Sequence, residues 1–153
     1  MDRNIVSMTL EKVLLTLIAA MNLVAAFWAD VLGPFAQEHI FNPRWPPHAK
    51  FHDAQYICMS MLISVIALWL LWRRDHRQTI NQIVSGLILA TPYISMYGAL
   101  LFPGTAMLDP EFDKPSSYVV GLHPQILAST AILFVISVSI ALASRRSWKS
   151  NAN

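Results

Sequence analysis

Charge is what this sequence has least of. Only 13 % of its 153 residues are Asp, Glu, Lys or Arg, against about 25 % in an average soluble domain. The formal net charge of +2 is too small for a protein that neutralises a run of phosphates, which excludes a nucleic-acid binder. One cysteine, Cys58, excludes a disulfide framework. There is no internal repeat and no low-complexity stretch. What fills the chain instead is apolar: 55 % of the residues are hydrophobic and the mean hydropathy is +0.45. That excludes disorder, and the length allows one compact unit over residues 1–153.

The apolar residues fall in four blocks separated by charge or proline. A helix needs about 20 mainly apolar residues to cross roughly 30 Å of hydrocarbon. The blocks at about Val13–Gly33, Ala54–Trp72, Ile80–Phe102 and Pro124–Ala143 are all long enough. Short connections such as Arg73 to Thr79 make sequential neighbours antiparallel. The expected fold is therefore all-α, an integral membrane four-helix bundle of up-down topology. The first block is too long for a signal-peptide core, and no small-residue cleavage site precedes Pro34.

Lysine and arginine set the expected direction. With the amino terminus inside, Arg3, Lys12, Arg73, Arg74, Arg77, Arg145, Arg146 and Lys149 collect on the inner side, and only Arg44, Lys50 and Lys114 on the outer. Asp30, Glu38, Asp53, Asp109, Glu111 and Asp113 lie outside, and Asp2, Glu11 and Asp75 inside. The expectation is a multi-pass membrane protein with both termini cytoplasmic. Trp28, Trp45, Trp69, Trp72 and Trp148 fall near span boundaries, where indole rings anchor. Ser129, Thr130, Ala131, Ser137 and Ser139 give the fourth block the small side chains that close helix packing uses.

Polar groups gather in the outer half. His39, His48, His52 and His123 belong there, and only His76 is inner. Pro46-Pro47 is a natural helix start. A helix begun there puts His48, His52 and Gln55 on one face, with Asp53 about a quarter-turn away. His123 and Gln125 flank Pro124 at the outer end of the fourth block. The third block brings Pro92, Tyr93 and Tyr97, and the first brings Asn22 deep inside and Asp30 near its end. Intramembrane ionisable groups are costly and tend to be functional. The expected catalytic residues are His48, His52, Asp53, Tyr97 and His123. The expected ligand contacts are Gln55, Tyr93, Trp45, Asn22 and Gln125, with Asp30 or Glu38 at the rim. For each there is a structural alternative: a rigid interfacial loop, belt tyrosines, and Asn22 as interhelical glue.

Three chemistries fit this set. Acid–base isomerisation or cyclisation of a lipid-soluble small molecule needs an imidazole, a carboxylate to orient it and no cofactor. A mononuclear metal would use His48-x-x-x-His52 with His123, although five histidines are too few for a membrane di-iron oxygenase. A structural or assembly subunit, alone or as a homo-oligomer, would use the small-residue face of the fourth block. No arginine falls inside any span, unlike the glutathione-transferring membrane enzymes of similar size.

The stretch Phe41–Gln55, FNPRWPPHAKFHDAQ, resembles the signature of a group of short, uncharacterised four-helix membrane proteins of bacteria and fungi. More distantly the chain is similar to the EXPERA domain, whose members include a sterol isomerase and sterol-binding proteins. That likeness implies a lipophilic ligand. EXPERA sites use acidic side chains within the helices, whereas here Asp30 and Asp53 sit near helix ends and no glutamate falls inside a span.

Overall fold

The computed structural model describes residues 8–151, the side chains of 149–151 excepted. Asp2 and Arg3 lie outside the described residues, as does the side chain of Lys149. The described chain is all-α, with four long helices: α1 (Leu10–Phe27), α2 (Pro47–Trp72), α3 (Gln78–Ala99) and α4 (Pro124–Asn151). Three apolar stretches, Leu10–Leu32, Pro47–Trp72 and Pro124–Trp148, are long and apolar enough to cross a membrane. This is the composition of a membrane protein. α3 does not reach that threshold, because Asn81, Gln82 and Ser85 stand on its buried side.

Helix ends follow local chemistry. α1 runs on into a π-helical turn, Trp28–Leu32, and then breaks at Gly33, which is extended before Pro34. α2 begins at Pro47, the helix start that Pro46-Pro47 marks, ahead of the apolar span from Ala54, since proline at the first helical position loses no bond. α3 passes through Pro92, which has no N–H for the Ile88 carbonyl; the Thr91 hydroxyl donates to that carbonyl at 2.7 Å. It stops at Ala99, short of Phe102, where the Thr105 hydroxyl donates to the Ala99 and Phe102 carbonyls at 2.8 and 2.9 Å. α4 outlasts Ala143, the apolar limit, because Ser144, Arg145 and Arg146 continue the helix into polar surroundings.

α1 packs against the other three helices, and α3 against α2 and α4. Leu15, Ile18 and Ala19 meet Ala67 and Leu71, Leu89 and Ala90, and Ile136 in a buried cluster. Small residues let the backbones approach: Ser85 Oγ donates to the Ala67 carbonyl at 3.2 Å. A Cβ on Gly86 would lie 2.8 Å from Ile140 Cγ1. Hydroxyls such as Ser64, Ser137 and Ser139 donate to carbonyls four residues back, so they add no unpaired donor to an apolar setting.

At one end of the helices, Glu11 pairs with Arg146, Lys12 Nζ stands 4.4 Å from the centroid of the Trp72 ring, and Trp72 Nε1 donates to Thr16 Oγ1 at 3.2 Å. The α2–α3 turn is organised by Asp75. Burial works to raise its pKa, but the Arg77 N–H, the Asn81 amide and the Arg73 guanidinium together hold it below the ordinary carboxylate range. A depressed carboxylate contributes stability above its unfolded pKa and loses it as pH falls through the folded one. Below about pH 4, the wild-type melting temperature should therefore fall toward that of Asp75→Asn, whose deficit at pH 7 is the larger one. A constant gap between the two melting curves across this range would contradict the role given to Asp75.

Candidate functional site

At the ends where α1 and α3 finish and α2 and α4 begin, residues of all four helices line a cleft of about 550 Å³. α1 with its π-helical turn brings Asn22, Ala25, Ala29 and Asp30, and α2 brings Tyr56 and Ser60. α3 brings Pro92, Tyr93 and Met96, and α4 brings Gln125, Ala128, Ser129 and Ile132. Most of this lining is apolar, and its polar groups are few.

Asn22 is buried, 5 % exposed. The Tyr93 hydroxyl donates to its Oδ1, which fixes the amide between α1 and α3. Its Nδ2 is buried with no partner among the described residues. Asp30, 8 % exposed, occupies the π-helical turn, a local widening that often marks functional positions. His39 Nδ1 lies 3.6 Å from Asp30 Oδ1 and donates to the Phe35 carbonyl at 2.9 Å. Asp53 stands within electrostatic reach of both Asp30 and His39, and its Oδ2 is buried without a partner among the described residues. The cleft thus has a carboxylate, Asp30, toward the end of α1 and an amide, Asn22, deeper along it, with the His39 imidazole behind Asp30 on the side of the loops.

Of the residues expected to act together, the structure brings Asn22, Tyr93, Gln125 and the rim residue Asp30 to this cleft. The others stand elsewhere. His48 and His52 are exposed and contact each other, Nε2 to Nε2 at 3.1 Å, and His52 Nδ1 meets Gln55 Oε1 at 3.2 Å. These three share a face of α2 and do not line the cleft; Tyr56, one turn on from His52, and Ser60 do. Tyr97 is bonded to Thr130 Oγ1 at 2.6 Å and tightens the α3–α4 contact. His123 accepts the Gln125 N–H at 3.3 Å and closes the start of α4. Trp45 Nε1 donates to Asp109 at 2.6 Å, joining the loop after α1 to the loop after α3, with Asn42 and an Arg44–Glu111 ion pair beside it. In that second loop the Tyr118 hydroxyl donates to Asp113, whose carboxylate holds the phenol above its ordinary range.

The expected meeting of imidazoles from separate segments across one cavity therefore does not occur. Among the described residues no three His, Cys, Asp or Glu side chains are grouped so as to hold a metal, and His48, His52 and His123 form no such group. Tyr56, Ser60, Met96 and Ser129 line the cleft without having been expected there, and His39 was expected as a histidine of the outer half that could complete a metal shell, not as the neighbour of Asp30. The spacing of Tyr56 and Ser60, one turn apart on α2, was the available signal. The reach of His39 back to Asp30 depends on the turn after Gly33 and had none.

No curated protein and no solved structure gives a match to this chain, and the EXPERA likeness gains nothing from the comparisons. One family does match, and over almost the whole described length, residues 16–153: the chain belongs to the family of unknown function DUF6640.

Proposed function

We propose that this protein is a single four-helix membrane unit, up-down in topology with both termini cytoplasmic, whose cleft in the outward half binds a lipid-soluble small molecule. The basic residues at the helix ends opposite the cleft support this orientation, since Arg73, Arg74, Arg77, Arg145 and Arg146 all stand there. α3, whose polar side is buried against its neighbours, crosses with the other three. The observation that carries the functional reading is the cleft itself. It is a largely apolar hollow with a buried amide, Asn22, and a carboxylate, Asp30, toward the end of α1, and it is framed by exposed Met21 and Ala25, Ser95 and Ala99, and Ala128. A molecule dissolved in the bilayer enters such a cleft sideways without crossing water.

Acid–base conversion of that molecule is the chemistry that fits the Asp30–His39 pair. The carboxylate takes a proton from one carbon and returns it to another, so a double bond moves with no oxidation and no cofactor.

Filling the hollow tests the reading. Purified full-length protein in detergent should bind radiolabelled farnesylacetone saturably, and Ala128→Trp should abolish that binding. Phe134→Trp, on the same helix but 70 % exposed at the residue it replaces, should retain it. Equal binding by all three proteins would place the probe outside the cleft and contradict the proposal.

A further inference from the structure

We infer that the molecule held in this cleft is an uncharged carbonyl compound whose oxygen reaches the Asn22 amide. This rests on the cleft being a ligand site and adds the chemical class of the ligand. Tyr93 gives its hydroxyl proton to Asn22 Oδ1, so the amide is turned with Nδ2 as its free group, and Tyr93 has no second proton to offer. Asn22 Nδ2 is fully buried and unpartnered among the described residues. A buried N–H without an acceptor is costly, and no described group around it accepts from it. Ser129, the nearest comparable hydroxyl on α4, donates instead to Met96 Sδ at 3.6 Å.

The deep end of the cleft thus holds one strong donor without a partner, while the hydroxyl protons of Tyr93 and Ser129 are already given to Asn22 Oδ1 and Met96 Sδ. A carbonyl oxygen satisfies that donor. A hydroxyl group must in addition place its own proton on a lone pair of Tyr93 or Ser129, a second alignment that a carbonyl does not need. Asp30 is eight positions further along α1, about 12 Å at helical rise, so its charge disfavours anionic ligands without competing for the oxygen at Asn22.

Three probes of one shape separate the outcomes: farnesylacetone, the alcohol made by reducing its carbonyl, and the parent hydrocarbon. The wild-type protein should bind the ketone at least about tenfold more tightly than either of the others, the scale of one recovered hydrogen bond. The preference should vanish in Asn22→Leu. Should that variant fail to fold, the carbonyl stretch of carbonyl-13C farnesylacetone bound to wild-type protein decides, because hydrogen bonding to Nδ2 moves it to lower wavenumber. Equal affinity for all three probes, or an unshifted stretch, overturns the carbonyl assignment and leaves the cleft a binding site. No saturable binding of any probe to the folded protein overturns both.

Discussion

Arg146→Ala is expected to lower the unfolding free energy by about 2–3 kcal/mol. Glu11 is 2 % exposed and Arg146 is its ion-pair partner, joining the first turn of α1 to the far end of α4. Removing one member of a buried pair leaves the other charge uncompensated, which costs about 3–5 kcal/mol in fully buried cases. The Arg146 side chain is 46 % exposed, so water screens part of the loss and the lower figure applies. Glu11→Gln combined with Arg146→Ala should regain a good part of the deficit, since no charge is then stranded. Arg145→Ala, at an exposed neighbour, should change little. Denaturant unfolding in detergent measures all of these, and an Arg146→Ala effect no larger than that of Arg145→Ala would contradict the pairing.

Ala67→Leu is expected to be as damaging by the opposite route. Ala67 is fully buried and its carbonyl receives the Ser85 hydroxyl at 3.2 Å. The adjacent Gly86 has Ile140 so close that even a methyl group would force it aside. In a bilayer, helices are held by close packing and interhelical hydrogen bonds more than by escape from water. Three extra carbons here push α2 off α3, break the hydroxyl bond and cost about 1–3 kcal/mol or more. Ile66→Leu, one residue away on the half-exposed face, should be nearly neutral. If the two variants melted together, the close approach of α2 and α3 would not be a source of stability.

The four helices were legible because apolar length and charge punctuation act locally: Arg73-Arg74 and Pro103-Gly104 end spans wherever the helices point. Asn22, Tyr93 and Gln125 were legible for a related reason, since a polar side chain deep in an apolar block has few places to go but inward. Which way α2 turns its histidines was not. Met59, Leu62, Val65 and Ile66 are exposed on the same helix whose Ile57, Ala67 and Leu71 are buried. In lipid both faces of a helix are apolar, so periodicity loses the phase that it gives in a soluble protein. The spacing of His48, His52 and Gln55 put them on one face, yet nothing in it said that the cleft takes its α2 lining from Tyr56 and Ser60, further along the helix. The π-helical turn at Trp28–Leu32 re-aims Asp30 and has no sequence signature of its own. The third span showed its limits in the same way. Asn81, Gln82 and Ser85 lower its hydropathy because α3 uses them inside the bundle, where Asn81 meets Asp75 and Ser85 meets the Ala67 carbonyl.

The claim on which the rest depends is that a lipid-soluble molecule occupies the hollow between the outward ends of the four helices. Photolabelling tests it most directly, with a diazirine analogue of farnesylacetone applied to the protein in lipid bilayers and the modified residues mapped by peptide mass spectrometry. The expected adducts fall on Met21, Met96 and Ile132 and disappear with excess unlabelled ketone. Adducts spread instead over lipid-facing positions such as Leu17, Leu62 and Phe134, undiminished by competitor, would contradict it.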